Sequence, residues 1–166
     1  MAPIVTRILV PIDFGPASEA ALQCARKLAA RFGARVALLH VVEIEALEWC
    51  SDPFTHDLPN AVVATQRDAD FRLGLLLERL ERMEINATAD VLVGDPARQI
   101  IAYATNHDID LIVMGRHGRC GFARAMLGSV AERTVRSAPC PVLTLRAQTR
   151  PLGTARAGCD GAISAV

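Results

Sequence analysis

The chain has no net charge: 18 Lys and Arg balance 18 Asp and Glu over 166 residues. Without a general pull towards phosphate backbones, broad binding to DNA or RNA is not expected. No apolar run reaches the ~20 residues of a membrane-spanning helix, so no membrane association is expected. Hydrophobic residues make up 51% and charged residues 22%, a globular balance rather than a disordered one. Met1 to Arg7 run straight into a strand-like pattern and lack a signal-peptide layout. The five cysteines, Cys24, Cys50, Cys120, Cys140 and Cys159, are odd in number and form no CxxC pair. That pattern indicates neither a zinc site nor a disulfide framework, and a reducing cytoplasm is the expected location. A GxxxxGK[ST] loop is also missing, and with it the best-known apparatus of fast phosphoryl transfer.

What is present is an alternation of short β-branched runs and amphipathic stretches. Ile4 to Val10 reads as a buried strand, stopped by Pro11-Ile12-Asp13-Phe14-Gly15-Pro16. Ser18 and Glu19 are placed to cap and charge the start of a helix that ends at Gly33. Val36 to Val42 is a second strand. The prolines between Glu43 and Asn60 predict an irregular connection. Ala61 to Glu84 reads as a long helix with Gly74 inside it, and Thr88 to Val93 as a third strand. Asp95 is a natural N-cap before Pro96, for a helix running to Asn106-His107. Leu111 to Met114 and Val142 to Leu145 are the fourth and fifth strands, with a helix from Ser129 to Ser137 between them. Residues 148–166 show no period and are expected to be a flexible tail beyond a single domain of residues 1–147.

This order predicts an α/β fold: one doubly wound, five-stranded parallel sheet with helices on both faces, in the Rossmann-like manner. With strand order 3-2-1-4-5, the ends of the first and fourth strands adjoin at the switch point, where such sheets bind ligands. The fourth strand runs into Gly115-Arg116-His117-Gly118, and Gly128-Ser129 follows ten residues later, just before a helix. Glycine lets a ligand approach the backbone closely. A helix start offers unpaired N–H groups and the positive end of its dipole, which together favour a phosphate. Asp13 stands at the end of the first strand, either on the ligand or capping the next helix. Arg116, His117, Arg119 and Arg124 can form a positive rim or be ordinary surface charge. His40 reads as a packed strand residue, and Trp49 and Phe54 as satellite packing.

Gly115-x2-Gly118-x9-Gly128-Ser129 resembles the G-x2-G-x9-G-[S/T] motif of the universal stress protein family, in its ATP-binding branch. Ile8 to Asp13, Leu39-His40-Val41, Gly94-Asp95-Pro96, Asp110 to Gly115 and Pro139 to Val142 look alike as well, so the similarity spans Ile4 to Arg146. The resemblance implies a fold like that of the adenine nucleotide alpha hydrolases and a bound ATP with Mg or Mn. It puts Pro11, Ile12 and Asp13 beside the adenosine, and Val41 and Met114 against the base. Gly115, His117 and Gly118 would line the path to the phosphates, which Gly128, Ser129 and Val130 would hold. Ala131 departs from relatives that carry a hydroxyl residue there. A homodimer through the Val142 to Leu145 edge strand is also implied.

The expected function is that of a cytoplasmic, ATP-binding regulator or switch in stress response. No residue pairs with His117 or Asp13 at a spacing that signals a general base, so a slow ATPase or nucleotidyl-transfer enzyme is the alternative. A nucleotide-independent dimeric scaffold is the third reading.

Overall fold

The computed structural model describes residues 5–44, 58–116 and 127–147. In chain order these form β1 (Arg7–Pro11), α1 (Pro16–Phe32), β2 (Arg35–Val42), α2 (Leu58–Glu81), β3 (Ala87–Val93), α3 (Pro96–Asn106), β4 (Leu111–Gly115), α4 (Ser129–Ser137) and β5 (Val142–Leu145). The five strands make one parallel sheet, as the alternation of patterns predicts, in the order β3-β2-β1-β4-β5 that sets β1 beside β4.

Strand alternation sorts the core into two layers. Ile8, Val10 and Ile12, with Val36, Leu38 and Val113, pack against Ala21, Leu22 and Ala25 of α1 and Leu73 and Leu80 of α2. Leu9, Leu39, Ile112 and Met114 point the other way, onto Ile100, Tyr103 and Ala104 of α3 and Ala131 of α4. Ile8, Leu9, Val10, Ile112 and Val113 are fully shielded from solvent. The central strands are covered on both faces, which is why they read as unbroken apolar runs.

Several boundaries differ from the sequence expectation. Helix α1 begins at Pro16, two residues before Ser18, with Gly15 as its N-cap and no side-chain cap. Proline suits the first helical position because its missing N–H has no partner to lose. Ser18 lies inside the first turn, and its hydroxyl donates to the Gly15 carbonyl at 3.0 Å. Helix α2 begins at Leu58, so Pro59, expected in an irregular connection, occupies its first turn. It ends at Glu81, because Glu84 turns left-handed at φ 58° and Ile85 N–H returns to the Leu80 carbonyl at 3.1 Å. The expected strand over Ile4 to Val10 is seen over Arg7–Pro11. Gly33, at φ 68°, closes α1 in the left-handed conformation that suits glycine.

At the sheet's lower end, Asp110 Oδ2 accepts from Thr6 N–H (2.8 Å), the Thr6 hydroxyl (2.6 Å) and Arg7 N–H (2.9 Å). These bonds, led by the Thr6 hydroxyl, hold the Asp110 carboxyl below its usual range. The aspartate of the Asp110 to Gly115 segment therefore fastens the start of β1 to the start of β4, at the end of the sheet away from the glycine loop.

Candidate functional site

Parallel pairing between β1 and β4 is confined to Ile8–Leu111 and Leu9–Ile112. On their outer sides pairing continues further: β1 stays in register with β2 through Pro11–Leu39, and β4 with β5 through Gly115–Leu145. The two central strands thus part at their carboxyl ends and open a crevice where the strand order reverses, the usual ligand position in such sheets.

The glycine-rich connection starts and finishes at this crevice. Gly128 N–H donates to the Arg116 carbonyl at 2.9 Å, so the end of β4 is stapled directly to the start of α4. His117 and Gly118, with Arg119, Cys120, Phe122 and Arg124, lie outside the described residues, as do Trp49, Phe54 and His56. Gly128 is the N-cap of the nine-residue α4 and, as a glycine, supplies no side-chain cap of its own. The N–H groups of Ser129, Val130 and Ala131 therefore have no intrahelical acceptor. Glu132 in the first turn works against a nearby anion, but it is paired with Arg136 at 2.8 Å.

Val41, Met114 and Val130, expected around base and phosphates, belong to a single apolar cluster on the α3/α4 side of the sheet, with Leu92 beside them. Ala131 is buried in that cluster too, so at this position the chain supplies packing rather than a hydroxyl. Ile12 faces the opposite layer, against α1 and α2.

The glycines differ in what they serve. A Cβ on Gly115 would sit 2.9 Å from Ala17 Cβ and 3.0 Å from the Ala17 carbonyl carbon. Close packing of β4 on α1 is thus what excludes a side chain at Gly115. Gly128 has φ −63° and ψ 151°, angles open to any residue, so its backbone does not require glycine.

The β1–α1 turn is tightly specified. Ile12 N–H donates to the Leu39 carbonyl at 2.8 Å. The Ile12 carbonyl accepts from His40 Nδ1 at 2.7 Å, which fixes the proton of the buried His40 ring on that nitrogen. Asp13 Oδ1 accepts from Gly15 N–H at 2.9 Å, so this carboxylate does hold the turn before the helix. A Cβ on Gly15 would press to 3.1 Å from the same oxygen. Phe14 between them is left-handed at φ 61°, with Arg72 Cζ 3.8 Å above its ring. The sequence pattern gave no sign of that strain, because it depends on groups from β2 and α2.

A second clamp orients α4. Arg133 makes a two-pronged ion pair with Asp95 at 2.7 and 2.9 Å, while Asp95 caps α3 through Arg98 N–H at 2.8 Å. The Arg133 bonds, and then the Arg98 bond, pull the Asp95 carboxyl below its ordinary range. Burial raises the thiols of Cys24 and Cys140, which leaves them poor nucleophiles. No group of three His, Cys, Asp or Glu side chains is arranged to hold a metal among the described residues.

Comparison with known proteins gives a consistent result. The model of the family described as "Universal stress protein family" matches residues 5–146. Universal stress protein MJ0531 of Methanocaldococcus jannaschii is 30% identical over 140 residues, covering 84% of this chain and 81% of its own length. Universal stress protein UspA from Lactobacillus plantarum is similar in structure, with a TM-score of 0.73 at 30% identity, covering 86% of this chain and 98% of that one. A structure of the hypothetical protein MJ0577 gives a TM-score of 0.74 at 25% identity, over 86% and 96% of the two chains.

Proposed function

Because this chain belongs to the universal stress protein family, we propose that it binds ATP in the crevice between β1 and β4 and acts as a cytoplasmic nucleotide-dependent regulator in stress response. The observation that carries this reading is the start of α4, whose N-cap Gly128 brings no side chain and is stapled to the end of β4 where the strands part. Unpaired N–H groups and a helix dipole directed at such a crevice favour an anion.

In this reading Gly128, Ser129 and Val130 offer N–H groups, and Ser129 its hydroxyl, to the phosphates. Gly115, His117 and Gly118 border the path between ribose and phosphates. Val41 and Met114 supply an apolar wall for adenine, and Pro11, Ile12 and Asp13 the opposite side of the adenosine. With no three-ligand cluster among the described residues, Mg or Mn would enter with the nucleotide, held mainly by its phosphates, as Mg commonly is. The metal would neutralise phosphate charge there.

The reading is regulatory because the sequence has no GxxxxGK[ST] loop, the phosphate cradle of fast phosphoryl-transfer enzymes. Among the described residues, no helix is long and apolar enough to cross a membrane. Strand β5 is at the sheet edge with Leu143 exposed, and such an edge suits pairing with a second copy. The homodimer belongs to this proposal.

Titration calorimetry with ATP tests the reading. Saturable binding by the wild type that is lost in Gly128→Val supports it. The angles at Gly128 accommodate valine, so the loss would report crowding at the ligand rather than backbone strain. A folded wild-type protein with no heat at millimolar ATP would end the proposal. Following ADP over hours in the same samples separates a binder from a slow ATPase.

A further inference from the structure

A bulky residue in the left-handed region is uncommon, and such strain persists only where the surroundings over-determine it. Phe14 is in that position at φ 61°. Its ring has two partners: the His40 ring lies 4.8 Å away at 39°, and the Arg72 guanidinium carbon stands 3.8 Å over it. His40 also holds the Ile12 carbonyl, so one histidine fixes both the residue before Asp13 and the side chain after it.

The backbone consequence falls on Asp13. Turning Phe14 left-handed brings Gly15 N–H back onto Asp13 Oδ1 at 2.9 Å. An ordinary φ at Phe14 would redirect that N–H, and the carboxylate could keep the bond only by turning to a different position. Room for such a movement exists: a cavity of about 270 Å³ is lined by Phe14, Gly15, Ser18, Arg72, Leu75 and Leu76. A strained residue beside open space, held by one buried histidine and one arginine from another helix, has the makings of a two-position element.

We propose that Phe14 is a positioning residue for nucleotide recognition: held by His40 and Arg72, it sets the Asp13 carboxylate for the adenosine and ties that setting to α2. This rests on the nucleotide-binding reading above and adds a route by which α2 affects the adenosine half of the site. The phosphate half, at α4, belongs to the cluster on the other face of the sheet.

The test uses the full chain, with ATP and inorganic tripolyphosphate as separate calorimetric probes. Phe14→Ala removes the clamp and keeps the aversion to positive φ. ATP should weaken at least about tenfold while tripolyphosphate stays within about twofold. Phe14→Gly also removes the ring but adopts φ 61° freely, so it should bind ATP more tightly than Phe14→Ala. A role in packing alone predicts the reverse order. Arg72→Met should weaken ATP by about threefold and leave tripolyphosphate alone. Equal losses for both probes, or glycine no better than alanine, would overturn the proposal. Amide exchange at Gly15 in the ligand-free protein separates this failure from that of the parent reading. Protection in the wild type and Phe14→Gly, lost in Phe14→Ala, sustains the positioning role even if ATP does not bind. Protection indifferent to Phe14 refutes it whatever ATP does.

Discussion

Replacing Gly115 by alanine should destabilise the fold, although it adds one methyl group at a strand end. The new Cβ would meet Ala17 Cβ at 2.9 Å, the Ala17 carbonyl carbon at 3.0 Å and Ser18 N at 3.1 Å. Carbon atoms prefer about 3.5–4.0 Å, so strand and helix must separate by roughly 0.5–1 Å. Two of the three atoms are backbone in the first turn of α1. That turn is held by Glu19 N–H on the Gly15 carbonyl at 3.0 Å, so it cannot yield alone. Overpacking of this kind costs about 1–3 kcal/mol. With a urea slope of about 2 kcal/mol per M, a loss of about 2 kcal/mol lowers the unfolding midpoint by roughly 1 M. Gly74→Ala is the matched control: it is the same chemical change within a helix, and there the Cβ meets nothing within 4 Å. Relief of glycine's helix penalty should raise stability by up to about 1 kcal/mol. The reasoning fails if both variants move the midpoint in the same direction, or if Gly115→Ala leaves it within about 0.2 M of wild type.

Other outcomes follow from the same geometry. Asp95 and Asp110 both have lowered folded-state pKa values, so the stability they give is present above the unfolded carboxylate pKa of about 3.9 and is lost as pH falls through the folded values. Acid titration of stability should therefore steepen below about pH 4, and Asp110→Asn should flatten that limb. Arg133→Gln should raise the Asp95 pKa towards its ordinary value, read by NMR titration, and the difference should shrink in high salt because the pair is half-exposed. Asp110→Ala strips the acceptor from two backbone N–H groups and a hydroxyl, and should cost about 1–3 kcal/mol in urea unfolding; a loss below about 0.5 kcal/mol would show that water replaces it.

The strands were legible because Ile8 to Val10 and Leu111 to Met114 are buried on both faces, which writes a continuous apolar run into the chain. The cap at Asp95 was legible because capping is local: the aspartate, Pro96 and Arg98 N–H lie within four positions. The start of α2 was hidden by Pro59, since a proline opening a helix and one breaking a loop look the same in sequence. Glycine was read only in part. Gly115 marks the crevice, but its missing side chain answers to Ala17 on a helix nearly a hundred positions earlier, a contact no spacing announces. Phe14 was not legible at all, because its backbone angle is imposed by His40 and Arg72 from two other elements. The Asp95–Arg133 pair escaped for the same reason, as its partners are 38 residues apart.

The strand order also has a consequence for how the protein is made. Strand β1 can pair with β2 soon after both leave the ribosome, but its other side must wait for β4, and the Thr6–Asp110 bond that fastens them spans 104 positions. At roughly 5–20 residues per second, that leaves the open flank of Ile8, Leu9 and Val10 unpaired for about 5–20 s of synthesis. A nascent chain in that interval has an apolar edge and no crevice. Holding such chains apart would fall to chaperones, and variants that slow the arrival of β4 should lose yield before they lose stability.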